Sequence, residues 1–89
     1  GLIVKPISDS NELMVEIKGV YYRNINLSIR DMLGDLLYNE SISNRPSYRK
    51  KMIMDLPNGK YILIAEDKKG KSKKTLIVKD KKVHLASYT

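Results

Sequence analysis

The sequence predicts an all-β fold, a two-sheet antiparallel sandwich, from three observations. First, Leu13, Val15 and Ile17 alternate with Met14 and Glu16, and Ile25, Leu27 and Ile29 alternate with Asn26 and Ser28. This period of two gives each segment one face for a core and one for water. Second, turn formers divide the chain into about seven or eight short strands, the spacing of a sandwich or small barrel. Third, Leu56-Pro57-Asn58-Gly59-Lys60-Tyr61 has the layout of a corner between two sheets. Pro57 fixes φ, Asn58 and Gly59 tolerate positive φ, and Tyr61 opens a new strand from which its hydroxyl can bond back to the upstream backbone. That corner makes the predicted sandwich immunoglobulin-like.

Each element follows in order. Leu2–Ile7 is a first strand, and the run from Leu13 to Ile17 is a second, ended by Gly19. After the strand at Ile25–Ile29, Asp31-Met32-Leu33-Gly34-Asp35 is a turn, and Leu36–Ile42 returns. A helix over Ile29–Tyr38 would align Met32, Leu33, Leu36 and Leu37, but Gly34 in its middle and the flanking aspartates favour strand–turn–strand. Ser43-Asn44-Arg45-Pro46-Ser47 is a loop, and Met52, Met54 and Leu56 alternate into the corner. Asp67-Lys68-Lys69-Gly70 is a hairpin connection before Thr75–Val78, and Lys79-Asp80-Lys81-Lys82 precedes a last segment, Val83–Tyr88. The predicted inward residues are Leu13, Val15, Ile17, Ile25, Leu27, Ile29, Met52, Met54, Leu56, Tyr61, Leu63, Leu76 and Val78.

The 89 residues form a single domain, 1–89, with no internal repeat and no dividing linker. A chain of this size buries roughly 60–65% of its unfolded surface, which suits one core and leaves little room for an enclosed active site. The composition, 42% hydrophobic and 30% charged, is that of a globular protein. There is no cysteine, which excludes a disulfide framework, a zinc–thiolate site and a thiol nucleophile. No apolar run is long enough to span a bilayer as a helix, and no leader pattern is visible. Gly1-Leu2-Ile3-Val4 reads as a mature terminus or a cloning remnant, with any signal peptide already removed.

Little here points to catalysis. The single histidine, His84, lacks companions for a zinc site, and Ser87, three residues on, falls on the opposite face of a strand. Asp31 and Asp35 bracket a turn whose intervening Met32 and Leu33 supply no side-chain oxygens for calcium. No glycine-rich phosphate loop, nucleophile elbow or paired-carboxylate spacing occurs. The expectation is a non-enzyme without cofactor or metal.

Binding is a better fit to the composition. The formal net charge of +7 favours anionic partners through its summed field. Lys68, Lys69, Lys71, Lys73 and Lys74 crowd one hairpin, with Lys79, Lys81 and Lys82 following. Sequence readers and single-strand binders usually add arginines and stacking aromatics to such a patch, and none lies in it. Lysines also guard exposed strands against edge-to-edge association. Tyr21-Tyr22-Arg23, between two strands, is an aromatic loop tip suited to a contact surface or to capping the sandwich end.

The run Ile25–Lys79 resembles the C-terminal sorting domains of the type IX secretion system, the Por secretion tail families, and related small secreted immunoglobulin-like proteins of Bacteroides-type bacteria. The resemblance rests on Asn26–Tyr38, Met54–Leu63 and Lys73–Lys79. The opening Asn-Pro signature of the sorting domains is absent, and the chain continues past Lys79 to Tyr88. The resemblance implies an exported, envelope-associated interaction module, here a free-standing small sandwich. It would be secreted, periplasmic or at the cell surface, though a cytoplasmic location also accommodates a cysteine-free chain. The expected partner is a protein or glycan. The alternative is a small basic barrel or sandwich binding nucleic acid or another polyanion through Lys68–Lys82. The candidate surface residues are therefore Tyr21, Tyr22, Arg23 and the five hairpin lysines, with Leu56, Pro57, Gly59 and Tyr61 as the structural corner.

Overall fold

Eight strands account for the architecture in a computed structural model that describes residues 1–18, 24–43 and 45–86. They are β1 (Leu2–Pro6), β2 (Glu12–Lys18), β3 (Asn24–Asp31), β4 (Leu36–Ser43), β5 (Ser47–Ile53), β6 (Gly59–Asp67), β7 (Gly70–Lys79) and β8 (Lys82–Leu85). One sheet has the order β1-β2-β5 and the other β4-β3-β6-β7-β8, and each neighbouring pair is antiparallel. A three-stranded layer thus faces a longer one, with the chain changing sheets after β2, β4 and β5. This is the strand arrangement of an immunoglobulin-like sandwich in which β4 extends the larger sheet.

The alternating segments supply the core. Leu13, Val15 and Ile17 from β2 meet Ile25, Leu27 and Ile29 from β3, with Tyr61, Leu63, Leu76 and Val78 completing the larger sheet's inner face. Met52 and Met54 are buried as expected, whereas Leu56 is half-buried at the core's margin. Met54 and Leu56 also lie beyond the end of β5, so their burial comes from the connecting segment and not from strand pleating. Its geometry is held by the Met54 amide donating to the Asn11 carbonyl at 2.7 Å and the Leu56 amide donating to the Met54 carbonyl at 2.9 Å. Val4, Ile42, Tyr48 and Val83 join the core as well.

The corner forms as the sequence predicts. The Tyr61 hydroxyl donates to the Pro57 carbonyl at 2.6 Å, and the ring is buried. Gly59 has φ +159°, and a Cβ there would touch the Tyr61 ring and hydroxyl. Those contacts, at 3.8–3.9 Å, are ordinary van der Waals distances, so the chain passes beside the tyrosine without crowding it.

The other turns use local polar groups. Between β3 and β4, the Asp31 carboxylate accepts from the Leu33 and Asp35 amides at 3.0 and 2.9 Å, and Gly34 adopts φ +89°. Strand–turn–strand therefore prevails over a helix between Ile29 and Tyr38. At the β6–β7 hairpin, Asp67 accepts from the Lys69 and Gly70 amides. Between β7 and β8, Asp80 and Lys81 both take positive φ, the mark of a type I′ hairpin turn. The Asp80 amide donates to the Asn58 side-chain oxygen at 2.9 Å, which ties this turn to the corner.

Candidate functional site

Antiparallel register divides the hairpin lysines between faces. Leu76 and Val78 point into the core, so Lys74, opposite Leu63, shares their face and is half-buried. Lys71 and Lys73, opposite Glu66 and Ile64, project from the outer face, and Lys68 and Lys69 sit at the exposed turn. Glu66 is on the same face as Lys71, directly across the ladder, which lowers the local positive field. Tyr21, Tyr22 and Arg23 lie outside the described residues, as does Ser87. His84 is exposed on β8 opposite Ile77, on the outer face of the larger sheet.

A different region, which the sequence reading did not single out, gathers more features. The sandwich has two flanks, one between β1 and β8 and one between β4 and β5. The β1–β8 flank is closed by the buried side chains of Val4 and Val83 and by the Val83 amide donating to the Ser10 carbonyl at 2.9 Å. On the β4–β5 flank the two terminal strands are bridged by side chains. Lys50 on β5 donates to the Tyr38 hydroxyl at 3.0 Å and to Glu40 Oε1 at 3.1 Å, while the Tyr38 hydroxyl donates to Glu40 at 2.8 Å. The Lys50 ammonium also stands 5.3 Å from the Tyr38 ring centre, within range of a cation–π contact.

Two clefts open along this flank. An apolar one of about 340 Å³ is lined by Ile29, Leu37, Met52, Ile53 and Leu56, with Ile53 67% exposed. A polar one of about 470 Å³ is lined by Glu40, Arg45, Tyr48, Arg49 and Lys50. At the adjacent turn Met32 and Leu33 project outward, Leu33 being 88% exposed.

Tyr48 is the unusual member. Its side chain is buried, yet its hydroxyl has no hydrogen-bond partner among the described residues. Glu40 lies close enough for the two groups to perturb each other's ionisation without a well-formed bond. Burial, followed by the Glu40 carboxylate, pushes the Tyr48 pKa up and holds the phenol neutral. At Glu40 burial would raise the pKa, but the Tyr48 and Tyr38 hydroxyls and the Lys50 ammonium outweigh it, and the net shift is downward. Lys50 is raised, first by Tyr38 and then by Glu40.

Tyr48 was hidden in the sequence because Lys50 interrupts its two-residue alternation with Met52. That spacing, 48, 50 and 52, was the available signal, and a lysine at the strand's free edge masked it. Val4, Ile42 and Val83 were similarly hidden, being apolar residues of strands whose other inner positions are half-exposed or polar.

An eight-stranded immunoglobulin-like sandwich is a scaffold that hosts many functions, so the class of this protein comes from its sequence family. The profile of the secretion system C-terminal sorting domain family (Por secretion tail) matches residues 6–79, and the chain belongs to that family. Membership identifies a secreted or cell-surface protein exported by type IX secretion, whose machinery is a protein partner. No curated protein matches the chain. Among the described residues no helix is long and apolar enough to cross a membrane.

Proposed function

We propose that this domain is a non-catalytic sorting and interaction module, the part of an exported polypeptide that the secretion machinery handles through protein contacts. The observation that carries this reading is the family match over residues 6–79, which spans β2 to β7 and includes the corner. The structure supplies a physical rationale. Asp31 and Asp67 are engaged in turn hydrogen bonds, and Tyr61 is committed to the corner. The remaining recognition chemistry is on surfaces and flanks, where a protein partner can reach it. The family match favours a tail attached to exported cargo over a free-standing sandwich. The family match gives no support to nucleic-acid binding through Lys68–Lys82, and of the five hairpin lysines Lys74 turns to the core side, away from the exposed Lys68, Lys69, Lys71 and Lys73.

The test is a reporter carrying a periplasmic export signal and residues 1–89 at its C-terminus, expressed in a bacterium with a functional type IX system. Appearance of the reporter outside the cell or on its surface, lost when that system is deleted, is the expected result. Retention of the fusion in the periplasm, with the domain folded, would overturn the assignment.

A further inference from the structure

Of the four sheet-terminal strands, three carry devices that discourage pairing with another chain. β1 is five residues long, contains Lys5, ends at Pro6 and packs beside β8. β8 has four residues, beginning with Lys82. β5 bears Arg49, Lys50 and Lys51 in succession. Short length, proline and lysine are the usual guards of a sheet edge.

β4 differs. It runs for eight residues, Leu36-Leu37-Tyr38-Asn39-Glu40-Ser41-Ile42-Ser43, with one charge. That charge, Glu40, shares the inner face with Tyr38 and Ile42, while Asn39, Ser41 and Ser43 form a neutral outer row. A register shift between Ile29 and Arg30 disturbs the first residues of β4 but leaves Tyr38 to Ser43 in regular pairing with β3. Among the described residues no strand pairs with the other side of β4.

We propose that the free edge of β4 is a docking site for an extended, acidic segment of a protein partner, added as a further strand of the larger sheet. This rests on the reading that the domain works through protein contacts, and it names the surface and the chemistry of the partner. Strand addition satisfies the unpaired backbone groups, and alternate side chains then enter the space beside β5. Toward Leu37 that space is the apolar cleft over Met52 and Leu56, which takes an aliphatic side chain. Toward Ser43 it is the polar cleft, where Arg45, Arg49 and Lys50 stand against one carboxylate, Glu40. Arg49 is also paired with Glu16 at 3.9 Å, so three cations against two carboxylates leave a surplus of one positive charge, which suits a carboxylate on the incoming strand.

The buried Tyr48 hydroxyl is the second, independent sign of a ligand. A buried donor without a well-formed hydrogen bond is unfavourable, and a carboxylate entering the polar cleft offers the Tyr48 hydroxyl an acceptor besides the nearby Glu40. A second copy of this chain fits less well. Each molecule carries +7, and pairing through β4 would bring two cationic β5 walls together.

The experiment titrates the isotope-labelled full chain with two synthetic peptides of about ten residues, enough to span the strand. One alternates valine with glutamate and the other valine with lysine. The Val-Glu peptide should bind saturably, shift amide resonances of β4 and of Tyr48 to Ile53, and weaken with salt. The Val-Lys peptide should not bind. Placing gatekeepers on the exposed row, Asn39→Lys with Ser41→Lys, should weaken binding of the Val-Glu peptide by at least about tenfold. Arg45→Glu with Arg49→Glu, at exposed positions, should reverse the preference between the peptides.

Equal binding of both peptides, shifts centred on the β6–β7 hairpin, or no saturable binding would overturn the proposal. Self-association through β4 in the absence of peptide would overturn it too. The titration involves no export system, so its failure leaves the sorting reading intact, and failed export of the reporter leaves the docking edge intact.

Discussion

On the flank where β1 meets β8, Val4 and Val83 fill the gap with buried side chains and a backbone hydrogen bond joins Val83 to Ser10. On the flank where β4 faces β5, Lys50 reaches across to Tyr38 and Glu40 while Ile53 stays two-thirds exposed. One seam is filled by buried aliphatic side chains; the other is spanned by polar side chains over open clefts. The contrast shows how a sandwich in this family can be held together on one side and remain available on the other. Packing supplies stability where water is excluded, and charged side chains give only small net gains where it is not.

The largest expected effect comes from placing a charge in each seam. Val83→Asp puts a carboxylate into a position 3% exposed and should destabilise the fold by roughly 3–5 kcal/mol, as an unpaired buried charge does. Ile53→Asp, in the open seam, should change stability by no more than about 0.5 kcal/mol. Chemical denaturation of the two variants measures both. Similar losses would mean that the open flank is as tightly packed as the closed one.

Two tyrosines sharpen the comparison further. Tyr61→Phe removes the 2.6 Å bond to Pro57 and should destabilise by on the order of 1 kcal/mol. Tyr48→Phe removes a hydroxyl that has no partner among the described residues and should be neutral or stabilise by about 1 kcal/mol. Thermal midpoints will separate them. A clear drop for Tyr48→Phe would show that its hydroxyl is satisfied in solution.

The open seam should also respond to pH. Glu40 is lowered from its ordinary value of 4.5, so its contribution is full above that value and is lost as pH falls through the lower folded one. Tyr48 and Lys50 are raised from 10.0 and 10.5, so their contributions are full below those values and fade as pH rises beyond them. Melting curves of Glu40→Gln should therefore converge on those of the parent below pH 4.5. Tyr48→Phe should lose less stability above pH 10 than the parent does. Parallel curves at all pH values would remove Glu40 and Tyr48 from the seam's electrostatics.

The smallest effect is expected at the β6–β7 hairpin, whose turn and outer-face lysines are exposed. Replacing exposed Lys68, Lys69, Lys71 and Lys73 with glutamine should alter stability by no more than about 0.5 kcal/mol and leave the fold intact. A large loss by denaturation would give these lysines a structural role that their exposure does not suggest.

Much of this was present in the chain before folding. Alternation at Leu13–Ile17 and Ile25–Ile29 determines which face of each strand is buried, because pleating sends successive side chains to opposite sides. Pro57, Gly59 and Tyr61 determine the corner, because backbone restriction and a hydroxyl four residues on act locally. Asp31 and Asp67 determine their turns for the same reason. Tertiary structure alone decided the rest. Tyr48 is buried because β5 lies beside β2 opposite the larger sheet, and Lys74 shares the core face because β7 pairs with β6 in a particular register. The difference between the two flanks belongs to no single segment. It arises from which strands end each sheet, and that is settled by long-range pairing between residues far apart in the chain.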